Sequence, residues 1–477
     1  MRLTRPEGWL DETVIGRRDN FIVFAVWFVF VVPLFILRGY HYEEGLAVAI
    51  AREAIANGWW IEHHTYGMRV VERPNLLADA IALLGLAYGG IEPWLARIPT
   101  ILSLLALAFM VKSLVQSEAS RAAGTFAGLA VLINPMTLQK TVTAEPDIVL
   151  TALLFSAFVL WWKGERRGGP GLLQWIAVGG ILAVAALMKG PQPVGYFAFG
   201  IAGYTLLFRR WSQIPGLMLA GAIAAAPVFT WYWAMYRSGD EQEWSRYLRL
   251  NEENGALYLL KDKLTFAATV LLESMPAALL LPFAIAHQRR SEPHKSRLGA
   301  ALLLYAGLCT LVLFVWPAHI TSRYAMPALP AFVAFLALGF DRARTQAAIL
   351  LRVVIAAGAA AIAYPVANGW IVSPLALPGL NGKSYDTAMA VTAAIAEAPG
   401  PIYKVGLKVN NVFGHMSGDL RNIARANDIK TAPVAAYVLT APATFDEMQA
   451  ARGTEAFEVI ADYSDRGDNL ILARIVR

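Results

Sequence analysis

The stretch NLLADAIALLGLAYGG, residues 75–90, decides how this chain is read. It is apolar enough to invite assignment as a membrane span. Yet it carries Asp79, ends in a glycine pair and runs about 16 residues, where crossing ~30 Å of hydrocarbon takes about 20. It suits a helix lying in the interface. Apolar runs surround it, near residues 21–37 on one side and 94–111, 122–138, 148–162, 172–188 and 191–208 on the other. Further runs follow near 213–234, 264–286, 298–316, 324–340 and 346–366. With 75–90 set aside, these predict about eleven transmembrane helices.

The connections between the runs agree with that count. Arg2, Arg5, Arg17 and Arg18 precede the first run, and Lys112 and Arg121 follow the second. Lys163, Arg166 and Arg167 come next, then Arg209 and Arg210, then Arg289, Arg290, Lys295 and Arg297, then Arg342 and Arg344. Every second connection is basic, which predicts a cytoplasmic N-terminus. Had residues 75–90 crossed, the KGERRGG and QRRSEPHKSR loops would face outward, against that rule. The odd count delivers residues 367–477 to the outer side, and an outer face without disulfides suits the periplasm of a bacterial inner (plasma) membrane.

Composition points the same way. The chain has 477 residues, 57% hydrophobic and only 16% charged, where an average soluble domain is about 25% charged. A mean hydropathy of +0.48 over that length excludes a soluble protein with one anchor. The net charge of +6 follows from the inward loops and needs no nucleic-acid partner. The single cysteine, Cys309, lies in an apolar run, so neither an intrachain disulfide nor a cysteine metal cluster is expected. The N-terminal segment is too polar for a typical cleaved signal, and the first run reads as a retained span. No Walker A loop, dinucleotide fingerprint or HExxH motif is present, which argues against a nucleotide-driven pump or a zinc protease.

The predicted fold is mainly α: a polytopic transmembrane helical bundle over residues 1–366 and a small C-terminal α/β periplasmic domain over 367–477. The outer loop 39–93 holds interfacial helices, and 235–263 forms a second long outer loop. In the tail, 383–398 and 445–453 read as helices, and 401–407, 434–441, 457–463 and 469–476 as strands.

Ionisable groups concentrate on the outer connections, where charge is costly unless it pairs, snorkels or lines a cavity. Glu43 and Glu44 open a helical segment whose apolar stripe is Ala47, Ile50, Ala51 and Ala54. Acids at a helix start complement its dipole, and so does Asp147 after Pro146. Carboxylates from separate loops on one face also make candidates for general base. Lys189 ends a span before Gly190 and Pro191, placed either to snorkel or to meet an anion. Arg73 and Arg323 suit phosphate, since a guanidinium fork matches its oxygens. His63 and His64, about 100° apart on a helix, make no ready metal pair.

The run YEEGLAVAIARE, then GWWIEHHTYG, ERPNL and GGIEPWLARIPTIL, resembles the first outer loop of the GT-C glycosyltransferases. The likeness is to the branch holding protein O-mannosyltransferases and the lipid A aminoarabinose transferase, and covers roughly residues 20–340. Ala51, Arg52, Glu53, Pro74, Leu76, Arg97 and Pro99 fall in register with that branch's pattern. Asp147 sits like its second-loop acid, MKGP (188–191) resembles its Thr-Lys-Gly-Pro, and RYAMPALP (323–330), with Tyr324, resembles its Arg-Tyr-x-x-Pro-x-x-Pro. Glu43 stands where the branch has Asp, Ala47 where Tyr is common, and Arg73-Pro74-Asn75 where it has Lys-Pro-Pro.

The resemblance implies transfer of a sugar from a polyprenyl-phosphate-linked donor to a lipid, polysaccharide or protein acceptor at the outer face. It implies Glu43 as base, with Glu44 and Asp147 supporting or sharing the role. Arg73, Lys189, Arg323 and Tyr324 then bind the substrate phosphate. Some relatives use a divalent metal, so Mg or Mn held by Glu43 and Asp147 stays open. The implied partners are the donor, the acceptor and membrane lipids. The alternatives are a transporter or flippase of a lipid-linked or anionic substrate, for which Glu273 is an intramembrane acid, and a non-catalytic assembly protein.

Overall fold

The computed structural model describes residues 18–31, 40, 42–141, 143–237, 256–290, 293–315, 321–367, 382–405, 409–416, 418–423, 425–465 and 468–477. Much of the predicted loop 235–263, and His319, lie outside them. The described part of the first run is a helix, α1 (18–31). It is followed by α2 (Tyr42–Asn57), a hairpin of β1 (His64–Thr65) and β2 (Met68–Arg69), and α3 (Leu76–Tyr88). The chain continues through α4 (Pro93–Glu118), α5 (Arg121–Leu132), the short α6 (Pro135–Leu138), α7 (Pro146–Glu165), α8 (Leu172–Lys189), α9 (Gln192–Leu207) and α10 (Ile214–Arg237). The later apolar runs form helices at Ala256–Glu273, Leu281–Arg290, Pro293–Val315, Leu329–Leu338 and Ala348–Ala367.

By length and apolarity, the described residues hold five helices able to cross a membrane, or seven if two bent pairs each count as one. That is fewer than the eleven apolar runs; the first is described only to residue 31, and within the others the sequence shows where helices break or fall short. The run 122–138 breaks where Asn134 and Pro135 restart the helix, the Asn134 side chain accepting from the Met136 N–H at 2.9 Å. The run 264–286 turns by 79° at Ser274–Pro276, where proline supplies no N–H to continue the ladder. The run 191–208 yields a helix of 16 residues.

The decisive stretch 75–90 contains α3, whose 13 residues span about 20 Å, short of ~30 Å. Asn75 caps its start by accepting from the Ala78 N–H at 3.3 Å, and Gly89 ends it in the left-handed region. Asp79 pairs with His63 Nε2 at 3.1 Å, so the acid that interrupts the apolar run has a local partner. Buried Leu77, Ala78, Ile81 and Ala82 pack against Ala47, Ile50, Ala51 and Ala54 of α2. The predicted apolar stripe of α2 is thus its seam with α3. Deeper in the bundle, Phe155, Phe158, Trp161, Tyr204 and Tyr305 interlock as a buried aromatic core.

The tail folds as a five-stranded mixed sheet in the order β4-β3-β5-β7-β6. Its strands are β3 (Ile402–Val405), β4 (Leu420–Ile423), β5 (Tyr437–Thr440), β6 (Phe457–Asp465) and β7 (Asp468–Ile475). β3 pairs in parallel with β4 and β5, while β7 is antiparallel to β5 and β6. Helices Gly382–Ile395 and Pro442–Arg452 stand where the sequence predicts them; β4 is an added strand.

This small domain is fastened to the first loop. Asn422 N–H donates to Tyr66 O at 2.9 Å, Arg52 Nη1 to Met416 O at 3.1 Å, and Tyr40 N–H to His415 Nε2 at 3.2 Å. Gly45 lets the backbones touch, since a Cβ there would lie 2.2 Å from Asn410 O.

Candidate active site

The charged groups that the sequence singles out for the site sit at the ends of regular elements. Glu43 lies in the first turn of α2, Asp147 in the first turn of α7, and Lys189 is the last residue of α8. Each sign matches its helix end, acids at the positive start and lysine at the negative finish. Arg323 and Tyr324 belong to the 3₁₀ segment Ser322–Ala328, which leads into Leu329–Leu338. Helix ends of α2, α7 and α8 and this 3₁₀ segment therefore deliver polar groups to one place.

Arg323 is the hub. Its Nη2 donates to Glu43 Oε1 at 2.8 Å and its Nη1 to Glu145 Oε2 at 3.3 Å. Lys140 also pairs with Glu145, and Lys189 pairs with Asp147. Tyr324 links the two halves: Lys189 Nζ lies 4.6 Å from its ring centroid, and the Arg323 guanidinium carbon 5.7 Å from it. Burial raises the Glu43 pKa, but the hydrogen bond and charge of Arg323 outweigh it and hold the carboxyl at about 2. Its side chain is 29% exposed, so water reaches it.

Glu44 faces the other way. It accepts from Arg97 Nε and Nη2 at 2.7 and 3.0 Å and from the Ala144 N–H at 2.8 Å. Both side chains of the pair are 0% exposed. The tandem glutamates thus divide, Glu43 toward the cluster and Glu44 into a buried clamp joining α2, α4 and the loop before α7.

Arg73 stands outside the cluster and pairs with Glu72 at 3.8 Å, its side chain 29% exposed. Tyr232 brings that loop close, donating from its hydroxyl to Glu72 O at 3.3 Å. A Cβ on Gly190 would lie 3.1 Å from the same hydroxyl oxygen. Gly190 has φ +86°, the left-handed geometry that turns the chain away after Lys189.

The structure adds Lys140 and Glu145 to the cluster. Both stand in the same outer connection as Asp147, but no motif singles them out. Gln139, beside Lys140, donates to Glu273 Oε1 at 2.5 Å, so the one acid of the predicted spans lies at this end of the bundle. His63 and His64 turn to different partners, Asp79 and Glu62. Glu43 and Asp147 each face a cation, and among the described residues no group of three His, Cys, Asp or Glu is arranged to hold a metal. The pair does not fit a metal site in this arrangement.

Below the 3₁₀ segment opens an apolar cleft of about 430 Å³. Ala325 and Ala328 of that segment line it, with Val270, Leu303, Gly307 and Phe332. A charged cluster therefore sits at the head of a greasy channel.

Fold and site together define a mainly helical membrane protein, with a first loop carrying a carboxylate and a small mixed-sheet domain fastened to it. Residues 73–233 match the PMT_2 family, described as Dolichyl-phosphate-mannose-protein mannosyltransferase. Its fold is that of ArnT from Cupriavidus metallidurans. The apo form matches at TM-score 0.71 and 17% identity, over 97% of this chain and 98% of that one. The form bound to undecaprenyl phosphate matches at TM-score 0.69, with the same identity and coverage. An Archaeoglobus fulgidus oligosaccharyltransferase in complex with Zn and sulfate matches at TM-score 0.50 and 12% identity, over 96% of this chain and 73% of that one. No curated protein matches the sequence.

Proposed function

We propose that the chain is a glycosyltransferase that moves a sugar from a polyprenyl-phosphate-linked donor to a lipid, polysaccharide or protein acceptor at the periplasmic face. The observation that carries this reading is Arg323, bound to Glu43 at 2.8 Å at the head of the apolar cleft. The cleft offers the polyprenyl tail a place between helices. The donor phosphate then lies against Arg323 and Lys189, with Lys140 and Tyr324 beside them and Arg73 at the rim.

The chemistry asks little more. The acceptor oxygen attacks the anomeric carbon, the bond from that carbon to the phosphate oxygen breaks, and the acceptor proton passes to a carboxylate. Charge grows on the departing phosphate, where fixed cations are most effective. Glu43 is the base in this scheme, Asp147 orients Lys189, and Glu44 holds α2 in place. A carboxyl held at about 2 is a poor base while Arg323 grips it. A donor phosphate that draws Arg323 away leaves burial as the larger influence, which makes Glu43 more basic. Donor binding thereby arms the base.

The membrane placement belongs to the same reading: about eleven crossings, a cytoplasmic N-terminus and a periplasmic tail in a bacterial inner membrane. Transfer of radiolabelled sugar from polyprenyl-phosphate donors to lipid A, polysaccharide and peptide acceptors is the test. Transfer that disappears in Glu43→Ala supports the proposal. No transfer from any donor, with uptake of the donor into proteoliposomes, would overturn it in favour of a transporter.

A further inference from the structure

A second cavity lies away from the candidate active site. It occupies about 820 Å³ between the C-terminal half of α2, the β1–β2 hairpin and the edge strand β4. That is within the usual range for ligand sites, about 300–1,000 Å³. Unlike the cleft below Arg323, its walls combine aromatic rings with paired charges. Trp59 contributes an indole packed on His64 with centroids 3.8 Å apart. Arg421 on β4 donates to both oxygens of Asp419 at 2.9 Å and to the Tyr403 hydroxyl at 3.3 Å.

Tyr66 supplies a second, independent sign of a ligand. It lines the cavity and is 5% exposed, and its hydroxyl has no hydrogen-bond partner among the described residues. A buried hydroxyl left without a partner costs about 1–3 kcal/mol, which a polar ligand recovers by entering the groove deeply enough to meet that atom.

We propose that this groove binds a carbohydrate chain, the glycan portion of the acceptor, and so selects the acceptor for the transfer proposed above, on which the acceptor role rests. Flat aromatic rings take the apolar faces of sugars, while fixed Arg, Asp and Asn groups pair with their hydroxyls. A peptide acceptor is less well served. The usual way to hold one at a sheet edge is by adding a strand to it. Here the Asn422 N–H of edge strand β4 already donates to Tyr66 O at 2.9 Å, so the hairpin occupies that edge. Distance also argues for an extended acceptor. The groove meets α2 from Ala49 to Asn57, six to fourteen residues beyond Glu43, which is roughly 9–21 Å along a helix. A ligand held there reaches the base only through a chain of several sugar units.

The test is binding, measured by native mass spectrometry on full-length protein in nanodiscs without any donor. The probes are a lipopolysaccharide core oligosaccharide, mannohexaose and a Ser/Thr-rich decapeptide. At least one of the two glycans is expected to bind, and Trp59→Ala and Arg421→Ala each to weaken it tenfold or more. Tyr66→Phe, which keeps the ring, is expected to weaken it several-fold. Unchanged thermal unfolding and elution volume mark the variants as folded. Binding of neither glycan, binding of the peptide alone, or glycan binding indifferent to all three substitutions would each overturn the proposal. Because no sugar is transferred, failure here leaves the glycosyltransferase reading standing, and loss of that reading leaves glycan binding measurable.

Discussion

Replacing Glu43 and Glu44 by alanine, one at a time, separates chemistry from architecture across a single peptide bond. Glu44→Ala removes a partner of Arg97, whose guanidinium is 0% exposed and donates to both carboxylate oxygens at 2.7 and 3.0 Å. It also strands the buried Ala144 N–H. Removing one side of a buried ion pair costs about 3–5 kcal/mol, because the other charge stays behind without compensation. That is a large share of the ~5–15 kcal/mol that holds a typical fold together. Glu43→Ala breaks a pair whose members are 24% and 29% exposed, and Arg323 keeps Glu145 at 3.3 Å. Its cost to stability is about 1 kcal/mol or less. Loss of a general base, by contrast, lowers turnover by about 10²–10⁴. Thermal unfolding in detergent, followed by tryptophan fluorescence, and turnover per folded molecule give the two readouts. Glu44→Ala is expected to unfold far below wild type, and Glu43→Ala to unfold near it with turnover almost abolished. A Glu44→Ala protein that melts like wild type would refute the clamp. Normal turnover in Glu43→Ala would refute the base.

Three further substitutions probe the rest of the site. Arg323→Met removes the cation that depresses Glu43, so the acidic limb of the rate profile should move to higher pH; an unmoved limb would remove Arg323 as the cause. In wild type that depressed pKa gives stability fully present above about pH 4.5 and lost as pH falls toward about 2, so acid titration of unfolding in wild type and Arg323→Met should diverge through that window. Gly190→Ala forces a side chain into φ +86° at a cost of about 1–2 kcal/mol, and should lower the melting temperature and raise the donor KM by misplacing Lys189. Full retention of both would show the turn to be tolerant. Gly307→Leu fills open space in the apolar cleft, and should raise KM for long polyprenyl donors while sparing short-chain ones. An equal effect on both chain lengths would place the tail elsewhere.

Much of the fold is legible in the sequence, because hydropathy and helix signals act locally. The short reach of α3 follows from the length of its apolar run, its Asn75 cap and the Gly89–Gly90 stop, all visible in the residues. The tail's helices and four of its strands follow from local periodicity. Strand β4 does not, because Leu420–Ile423 owes its state to parallel pairing with β3, a long-range event. The broken helices are legible only in hindsight. Asn134–Pro135 and Ser274–Pro276 lie inside apolar runs, and hydropathy summed over a window averages such punctuation away.

The site divides along the same line. Arg323 and Asp147 are visible as charged residues at the mouths of apolar runs, where charge is costly enough to need a reason. The partner each charge chooses is invisible, since Glu43 and Arg323 are 280 positions apart and Glu44 and Arg97 are 53. Adjacent residues on a helix point about 100° apart, so one glutamate of the tandem must look away from whatever the other faces. Which one faces the charged cluster depends on where Arg97 arrives, and α4 decides that by packing beside α2 and α3. Lys140 and Glu145 escape notice for a related reason. Their loop reads as a plain connection until Arg323, carried by a segment nearly 180 residues further on, closes over Glu145 and makes it part of the cluster. Local signals predict the ends that carry the charges, and packing alone assigns the pairs.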